Sequence, residues 1–112
     1  MKTNTFHILV ALLDGDKHGL GIVRDVLEQT GGALHLWPAT LYGLLEQLAG
    51  DGFVEELSAS GRHPAGESER RRYYRLTKSG RAAVVGEVKR LEAMTRTVRG
   101  RLALGGHGGT KA

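Results

Sequence analysis

The chain of 112 residues contains no cysteine, only two prolines and a single tryptophan. The absence of cysteine excludes disulfides, thiol catalysis and cysteine-ligated zinc, but it does not identify a redox compartment. The longest apolar run, Ile8 to Leu13, is far shorter than the about 20 residues that a membrane-spanning helix needs. No small-residue cleavage site follows that run. We therefore expect one cytoplasmic domain that does not enter the membrane.

Sites for metal ions and for catalysis are also lacking. The five histidines show no paired metal-ligand spacing, and no nucleophile stands with a base and an orienting group. Gly19 and Gly21 resemble part of a phosphate loop, but no strand is predicted before them and a third glycine is missing. We expect no metal, no cofactor and no enzymatic activity.

The charges are distributed unevenly along the chain. The first 60 residues hold three basic and eight acidic residues, whereas the remainder holds 13 basic and four acidic residues. Seven of the basic residues cluster in a short stretch: Arg62, Arg70, Arg71, Arg72, Arg75, Lys78 and Arg81. A charge run alone is typical of a solvated hairpin, but a local cluster in a modestly charged chain favours a directed contact with a polyanion.

Apolar spacing predicts three helices in the first half of the chain. The first lies near Phe6–Leu13, and the second opens at His18 and ends at Gly31. Pro38 fits the first turn of the third helix, and the residues with helical apolar spacing that face the core are Leu41, Leu44, Leu45 and Leu48. The outer surface of that helix is then formed by Ala39, Thr40, Tyr42, Gly43, Glu46 and Gln47. Residues 34–36 are predicted as a brief extended piece.

Two strands, Phe53–Leu57 and Arg72–Leu76, flank a loop rich in glycine and serine. Because strand side chains alternate, Tyr74 is expected on the core face and Tyr73 on the other face. Aromatic residues interleaved with arginine can stack on bases, but they suit a half-buried strand equally well. Helix, strand, basic loop and strand in this order predict a winged helix-turn-helix, mostly α with a small β-hairpin. Residues 1–78 would form this domain.

A long helix is predicted for residues 79–104, with Thr77 as its N-cap and residues 105–112 as a disordered tail. Gly80 occupies the position where a capping box would have glutamate. Apolar spacings of four and three continue along the helix through Val84, Val88, Leu91, Thr95, Val98 and Leu102. Such a heptad seam suits a second long helix. The candidates for its partner are a second copy of the chain and the helix's own domain, onto which it could fold back.

Three segments resemble the PadR family of bacterial transcriptional regulators: ILVALLDGDKHGLGIV, WPATLYGLLEQLAGDGFVEE and RRRYYRLTKSGR. The resemblance covers nearly the whole chain in the family's order, and its more specific runs are Thr40–Tyr42 and Tyr73–Thr77. It implies a dimeric winged-helix repressor whose C-terminal helix makes the dimer, in the shorter branch of the family. It also implies that Ala39, Thr40, Tyr42 and Gly43 approach DNA, and that small aromatic or drug-like compounds are sensed.

The chain departs from the family's pattern at two places. Trp37 stands where a capping serine is usual, and no lysine or arginine occurs between Pro38 and Gly50. Attraction for phosphate must therefore come mainly from the wing, for which we predict contacts from Arg62, Arg70, Arg71, Arg72 and Tyr73. Thr40 and Tyr42 can hydrogen-bond phosphates or base edges, and Ala39 can touch a thymine methyl. The alternative role of Tyr42 is packing in the core.

We therefore predict a sequence-specific DNA-binding regulator, a repressor released by a small-molecule effector, that binds a pseudo-palindromic operator on double-stranded DNA as a homodimer. The alternative is a winged-helix protein-interaction module that does not read DNA. An effector site is expected at the dimer interface, between the last helix and the N-terminal helices. Trp37 either lines such a pocket or stabilises the start of the third helix.

Overall fold

The structure, a computed structural model, describes residues 1–57 and 72–109. Its elements, in chain order, are α1 (Thr3–Ala11), β1 (Lys17–His18), α2 (Gly19–Gln29), α3 (Pro38–Gly50), β2 (Val54–Leu57), β3 (Tyr73–Leu76) and α4 (Lys78–Gly109). The fold is mostly helical, with one small antiparallel sheet, and the predicted fold class is confirmed.

The core lies between the first three helices and one face of the sheet. Its buried members from the helices are Ile8, Leu9, Ala11, Ile22, Val26, Leu41, Leu45, Leu48 and Val84, and Leu12 joins them from the C-cap of α1. Tyr74 and Val54 close it from the hairpin, and Leu36 closes it from the segment between α2 and α3. Leu41, Leu45 and Leu48 are buried as the helical spacing predicts, and Leu44 is half-buried at the edge of this core.

The sheet has three strands in the order β1-β3-β2, with both neighbouring pairs antiparallel. Tyr74 lies opposite Glu56 of β2 and opposite Lys17 of β1. The strand β1 was not predicted, because two residues are too few to show any periodicity. It connects the turn after α1 to the hairpin. The predicted extended piece at residues 34–36 is not part of the sheet.

Local hydrogen bonds determine where α2 begins and ends. At its start, the Nδ1 atom of His18 accepts a hydrogen bond from the amide of Gly21 at 3.2 Å. At its end, Gly31 and Gly32 adopt φ angles of +60° and +88°, which glycine reaches without steric penalty. Both ends of this helix therefore agree with the prediction.

The start of α4 explains why glycine stands where a capping box would have glutamate. The Thr77 hydroxyl accepts a hydrogen bond from the amide of Gly80 at 2.9 Å and donates one to the carbonyl of Gly52 at 2.6 Å. Gly80 is buried against the carbonyl oxygen of Phe53, and a Cβ atom there would overlap with that oxygen. Thr77 is the predicted N-cap, and any side chain at residue 80 would push the helix away from the hairpin.

Two features of α4 differ from the prediction. The helix continues to Gly109, so residues 105–109, which were predicted as disordered, are helical. Once a helix is formed, each added residue gains a backbone hydrogen bond, and no proline interrupts this segment. Val84, predicted as part of the intermolecular seam, is buried in the core of its own domain because it packs where α4 leaves the hairpin. The later seam positions are exposed.

Candidate nucleic-acid interface

The outer side of α3 is uncovered in the part of the chain that the structure describes. Trp37 is the N-cap without a side-chain capping bond, and Pro38 occupies the first turn. The buried leucines of α3 hold the helix against the core, so Ala39, Thr40 and Gly43 are exposed on its opposite side, as predicted. No atom lies within 4 Å of the position that a Cβ would take at Gly43. Ala39, Thr40 and Gly43 carry no charge, and the charged residue on the outer side of α3 is Glu46, further along the helix.

Tyr42 combines the two roles that the sequence left open. Its side chain is 39% exposed, and its ring lies 6.5 Å from the ring of Tyr74 at an interplanar angle of 47°. A Cβ atom at Gly19 would overlap with the Tyr42 hydroxyl. Because Gly19 has no side chain, the Tyr42 ring can lie over the start of α2. Comparing Gly19 with a phosphate loop did not identify this role. Tyr42 therefore packs against Tyr74 and the start of α2, and the rest of its side chain is exposed to solvent.

Of the predicted wing arginines, Arg72 lies within the described residues. Its guanidinium contacts other residues of the same chain. Its Nε atom lies 3.6 Å from Oε2 of Glu56. A hydrogen bond to the Tyr74 hydroxyl, followed by the attraction of Glu56, raises the pKa of Arg72. Burial raises the pKa of the Tyr74 hydroxyl against the lowering effect of the hydrogen bond from Arg72. Arg72 is permanently charged, but part of its attraction for phosphate is compensated by Glu56.

A cavity of about 120 Å³ separates α3 from the hairpin. Its polar lining includes the carboxylates of Glu46 and Glu56 together with Arg72, and Tyr42 and Tyr74 form part of its wall. Two carboxylates beside one guanidinium make this cleft unattractive to a phosphate group. The predicted contact residues Arg62, Arg70 and Arg71 lie outside the described residues.

Tyr73 lies on the opposite face of β3 from Tyr74, as strand alternation predicts. Its ring is half-buried and meets the His18 ring edge-on, with centroids 5.4 Å apart and planes at 86°. This contact joins β1 to β3 beside the start of α2. A packing role for Tyr73 is thus present in the single chain, and its predicted contact with DNA stays a prediction.

The acidic turn between α1 and β1 is neutralised by basic residues. Asp14 accepts a hydrogen bond from Lys17 at 2.5 Å, and this bond lowers the pKa of Asp14. Asp16 lies 3.2 Å from Arg75 of β3, and Arg81 of α4 donates a hydrogen bond to the carbonyl of Leu13. The spacing of Asp14 and Lys17 is visible in the sequence. The pairing of Asp16 with Arg75, in contrast, depends on strand β1, which was not predicted. These contacts reduce the negative charge that the N-terminal half would present to DNA.

Trp37 is a surface residue in the single chain. Its side chain is 65% exposed, and its indole stacks on the His35 ring at 4.1 Å with an interplanar angle of 11°. A cavity of about 260 Å³ lies elsewhere, between the beginning of α1 and the end of α3, where Thr5, Leu48 and Phe53 contribute to its lining. The predicted role of Trp37 in effector binding therefore needs a second surface to cover the indole.

Two further properties concern the described residues as a whole. Residues 1–57 and 72–109 contain no group of three or more histidine, aspartate or glutamate side chains that could hold a metal ion. None of the helices in the same ranges has the combination of length and apolar character that a membrane span requires.

Comparisons with known proteins agree with this geometry. The model of the transcriptional regulator PadR-like family matches residues 8–85. A transcriptional regulator of Mycobacterium tuberculosis is 32% identical over 96 residues, which cover 84% of this chain and 80% of that protein. These relatives are regulators and not enzymes.

Solved structures share the fold. Bacillus subtilis PadR in complex with operator DNA has a TM-score of 0.65 at 22% identity, covering 78% of this chain and 47% of that chain. Bordetella bronchiseptica BpsR, whose DNA binding is regulated by 6-hydroxynicotinic acid, has a TM-score of 0.63 at 23% identity, covering 87% of this chain and 64% of that chain. The family match extends over α2, α3, the hairpin and the start of α4, and the protein therefore belongs to the PadR-like family of transcriptional regulators.

Proposed function

We propose that this protein is a homodimeric repressor that binds a pseudo-palindromic operator and is released by a small-molecule effector. The observation that carries the proposal is the uncovered side of α3, with Ala39, Thr40 and Gly43 exposed beside the hairpin. In the sequence, Arg62, Arg70 and Arg71 fall between the two strands of that hairpin. Such a helix suits the major groove, and such a loop suits the flanking backbone. The operator complex of the similar PadR supports the same use of the fold.

The experiment that tests DNA binding is a mobility-shift titration on the DNA adjacent to the protein's own gene. We expect a shift on that fragment that weakens steeply with salt, and a much weaker shift on a scrambled fragment of equal length. Thr40→Ala should reduce the difference between the two fragments, whereas Thr97→Ala on the exposed part of α4 is the matched control. Equal affinity for both fragments would contradict sequence-specific binding.

Dimer formation is proposed from the exposed apolar stripe on α4. Val88, Leu91, Val98 and Leu102 are between 39% and 66% exposed, although they follow one face of the helix. A long apolar stripe on a soluble helix is typical of a helix–helix interface. In the described part of the chain, no element folds back over this stripe, which favours a second copy over the chain's own domain.

Effector control is proposed for the interface that such a dimer would form between α4 and the N-terminal helices. The regulation of the similar BpsR by 6-hydroxynicotinic acid supports a small aromatic ligand. Fluorescence of Trp37, the single tryptophan, would report binding of phenolic compounds and cationic dyes if the dimer covers the indole. An effector must also change DNA affinity, because it has to bind the free and DNA-bound states unequally. A ligand that binds without changing DNA affinity would contradict this role.

A protein-interaction module is the second candidate function. It is favoured by the cleft that Glu46 and Glu56 line between α3 and the hairpin, and by the absence of basic residues from α3. The same titration separates the candidates, because such a module would bind neither fragment at physiological salt.

A further inference from the structure

Trp37 is the most exposed large apolar side chain outside α4 in the ranges that the structure describes. Its side chain is 65% exposed, and it stands directly before Pro38 at the N-terminal end of α3. Tryptophan has a large apolar area and is enriched where one surface meets another. It is also one of the two places where the chain departs from the family's pattern. The position therefore indicates a contact that is particular to this chain.

The indole of Trp37 is ordered before any partner binds. The His35 ring stacks on it with centroids 4.1 Å apart and planes at 11°. Leu36, between the two aromatic residues, is buried in the core and anchors this segment. A side chain that is already ordered loses less conformational entropy on binding. His35 thus covers one face of the indole, and the exposure of the side chain leaves the opposite face to a partner.

The surroundings of Trp37 favour DNA over a second copy of the chain as that partner. Residues 37–40 are exposed without interruption, so the indole is continuous with the surface of Ala39 and Thr40. The interface proposed for the dimer lies on α4, which makes its main contacts with α1 and β3. In a helix-turn-helix, the N-terminal residues of the recognition helix are those that reach base edges. Trp37 stands at this end of α3.

The chemistry of the indole determines which part of DNA it can contact. An uncharged ring does not neutralise a phosphate, so Trp37 is not a substitute for the lysine or arginine that α3 lacks. The apolar group that the major groove presents is the C5 methyl of thymine. Ala39, two residues further along, is predicted to touch such a methyl. The apolar face of Trp37 would extend the same kind of contact beyond the end of the helix.

Resting on the proposed function, we propose that Trp37 contacts a thymine methyl in each operator half-site and is a determinant of sequence preference. His35 acts through the indole, as a positioning residue that holds the ring at the end of α3. The contact gives α3 a source of affinity that does not depend on charge. Each half-site then contains a thymine at the position that faces the start of this helix.

Truncation of the indole tests the contact by mobility shift on the DNA fragment adjacent to the protein's own gene. Trp37→Ala should raise the dissociation constant for that fragment about tenfold and leave the scrambled fragment close to wild type. The slope of log affinity against log salt should not change, because no phosphate contact is lost. His35→Ala should have a smaller effect in the same direction, since the indole remains but is no longer held. Val85→Ala, at an exposed apolar position of α4, is the matched control.

A serine variant separates the DNA contact from any effect on stability. The Trp37 side chain makes no capping hydrogen bond, whereas serine is a favourable N-cap. Trp37→Ser should therefore unfold at a higher urea concentration than wild type and still bind the operator fragment about tenfold more weakly. A purely structural role of Trp37 predicts instead that DNA affinity follows stability.

Removal of the methyl groups from the DNA tests the chemistry. A duplex with deoxyuridine in place of thymidine keeps its base pairs but lacks the C5 methyl. The wild type should bind this duplex more weakly than the thymine duplex. The ratio of the two dissociation constants should be smaller for Trp37→Ala, because part of the methyl contact is already absent.

Fluorescence reports the environment of the indole directly, since Trp37 is the single tryptophan. Bound operator DNA should lower the quenching of its emission by acrylamide, because the DNA covers the exposed face. Phenolic compounds or cationic dyes that change the emission in the absence of DNA would indicate a separate ligand at the same residue. The DNA titration is therefore performed without them.

The outcomes separate this inference from the proposed function. Weaker operator binding by Trp37→Ala and Trp37→Ser, a reduced deoxyuridine effect in Trp37→Ala, and protection of the indole would support it. Wild-type affinity of Trp37→Ala, an equal deoxyuridine effect in both proteins, or an unprotected indole on bound DNA would overturn it and leave sequence-specific binding intact. A wild type that does not distinguish operator from scrambled DNA would overturn both the contact and the proposed function.

Discussion

At the scale of single residues, Gly80 is the position where the fold tolerates no side chain. A Cβ atom there would overlap with the carbonyl oxygen of Phe53, which already accepts a hydrogen bond from the amide of Thr77 at 3.0 Å. Because backbone atoms cannot rotate away, Gly80→Ala should lower the free energy of unfolding by about 1–3 kcal/mol. Gly86→Ala, where no atom lies within 4 Å, is the control and should raise it by about 1 kcal/mol. Urea denaturation measures both, and a shift of the same sign in the two variants would contradict this explanation.

Thr40 and Tyr42 are the residues of α3 whose hydroxyl groups we expect to contribute to sequence preference. Thr40→Ala and Tyr42→Phe should each reduce the ratio of operator affinity to random-DNA affinity about three- to tenfold, which is the effect of one lost hydrogen bond. Tyr42→Phe is preferred over alanine because the ring also packs on Tyr74. Competition binding with both DNAs measures the ratio. If the variants weaken binding to both DNAs equally, these hydroxyls contact only the backbone.

At the scale of elements, the buried carboxylate of Glu87 in α4 lies 3.6 Å from the N-terminal ammonium of Met1 and is also bonded to Arg90 of the same helix. The hydrogen bond from Arg90 lowers the pKa of Glu87 in the folded protein below its ordinary value. The carboxylate therefore contributes stability above its ordinary pKa, and this contribution is lost as the pH falls through the lowered pKa. Glu87→Gln should be less stable than wild type at pH 7, and the difference should shrink below about pH 4. Thermal unfolding measures the difference, and Glu92→Gln on the exposed face is the control. A difference that is equal at pH 7 and pH 3 would exclude this role.

The sequence alone predicted some of the elements and missed others. Helices with several apolar positions, such as α2 and α3, were predicted because burial follows the helical period. The strand β1 was missed, and with it the pair of Asp16 and Arg75, because two residues carry no period and long-range pairing leaves no local signal. Tyr42 could be placed on the outer side of α3, but its contact with Tyr74 depends on the angle between helix and hairpin. The engagement of Arg72 by Glu56 was likewise not readable from charge alone.

At the scale of the whole molecule, the mass in solution tests the exposed stripe on α4. Light scattering should give twice the chain mass for the wild type and close to the chain mass for Leu91→Asp or Val88→Asp, because a carboxylate in the seam would be buried without a partner. Both side chains are about 40% exposed in the single chain, so the domain itself should remain folded. Ala93→Asp on the outer face is the control. A monomeric wild type at micromolar concentration would contradict the proposal.

The division of labour between α3 and the hairpin loop is the central claim, and the salt dependence of DNA binding tests it most directly. α3 has no basic residue, so affinity for phosphate must come from arginines such as Arg71 of the loop. Arg71→Ala should weaken binding to operator and random DNA alike and reduce the slope of log affinity against log salt by about one. Thr40→Ala should keep the wild-type slope while it lowers operator affinity alone. An unchanged slope in Arg71→Ala, together with an equal loss on both DNAs in Thr40→Ala, would contradict the account.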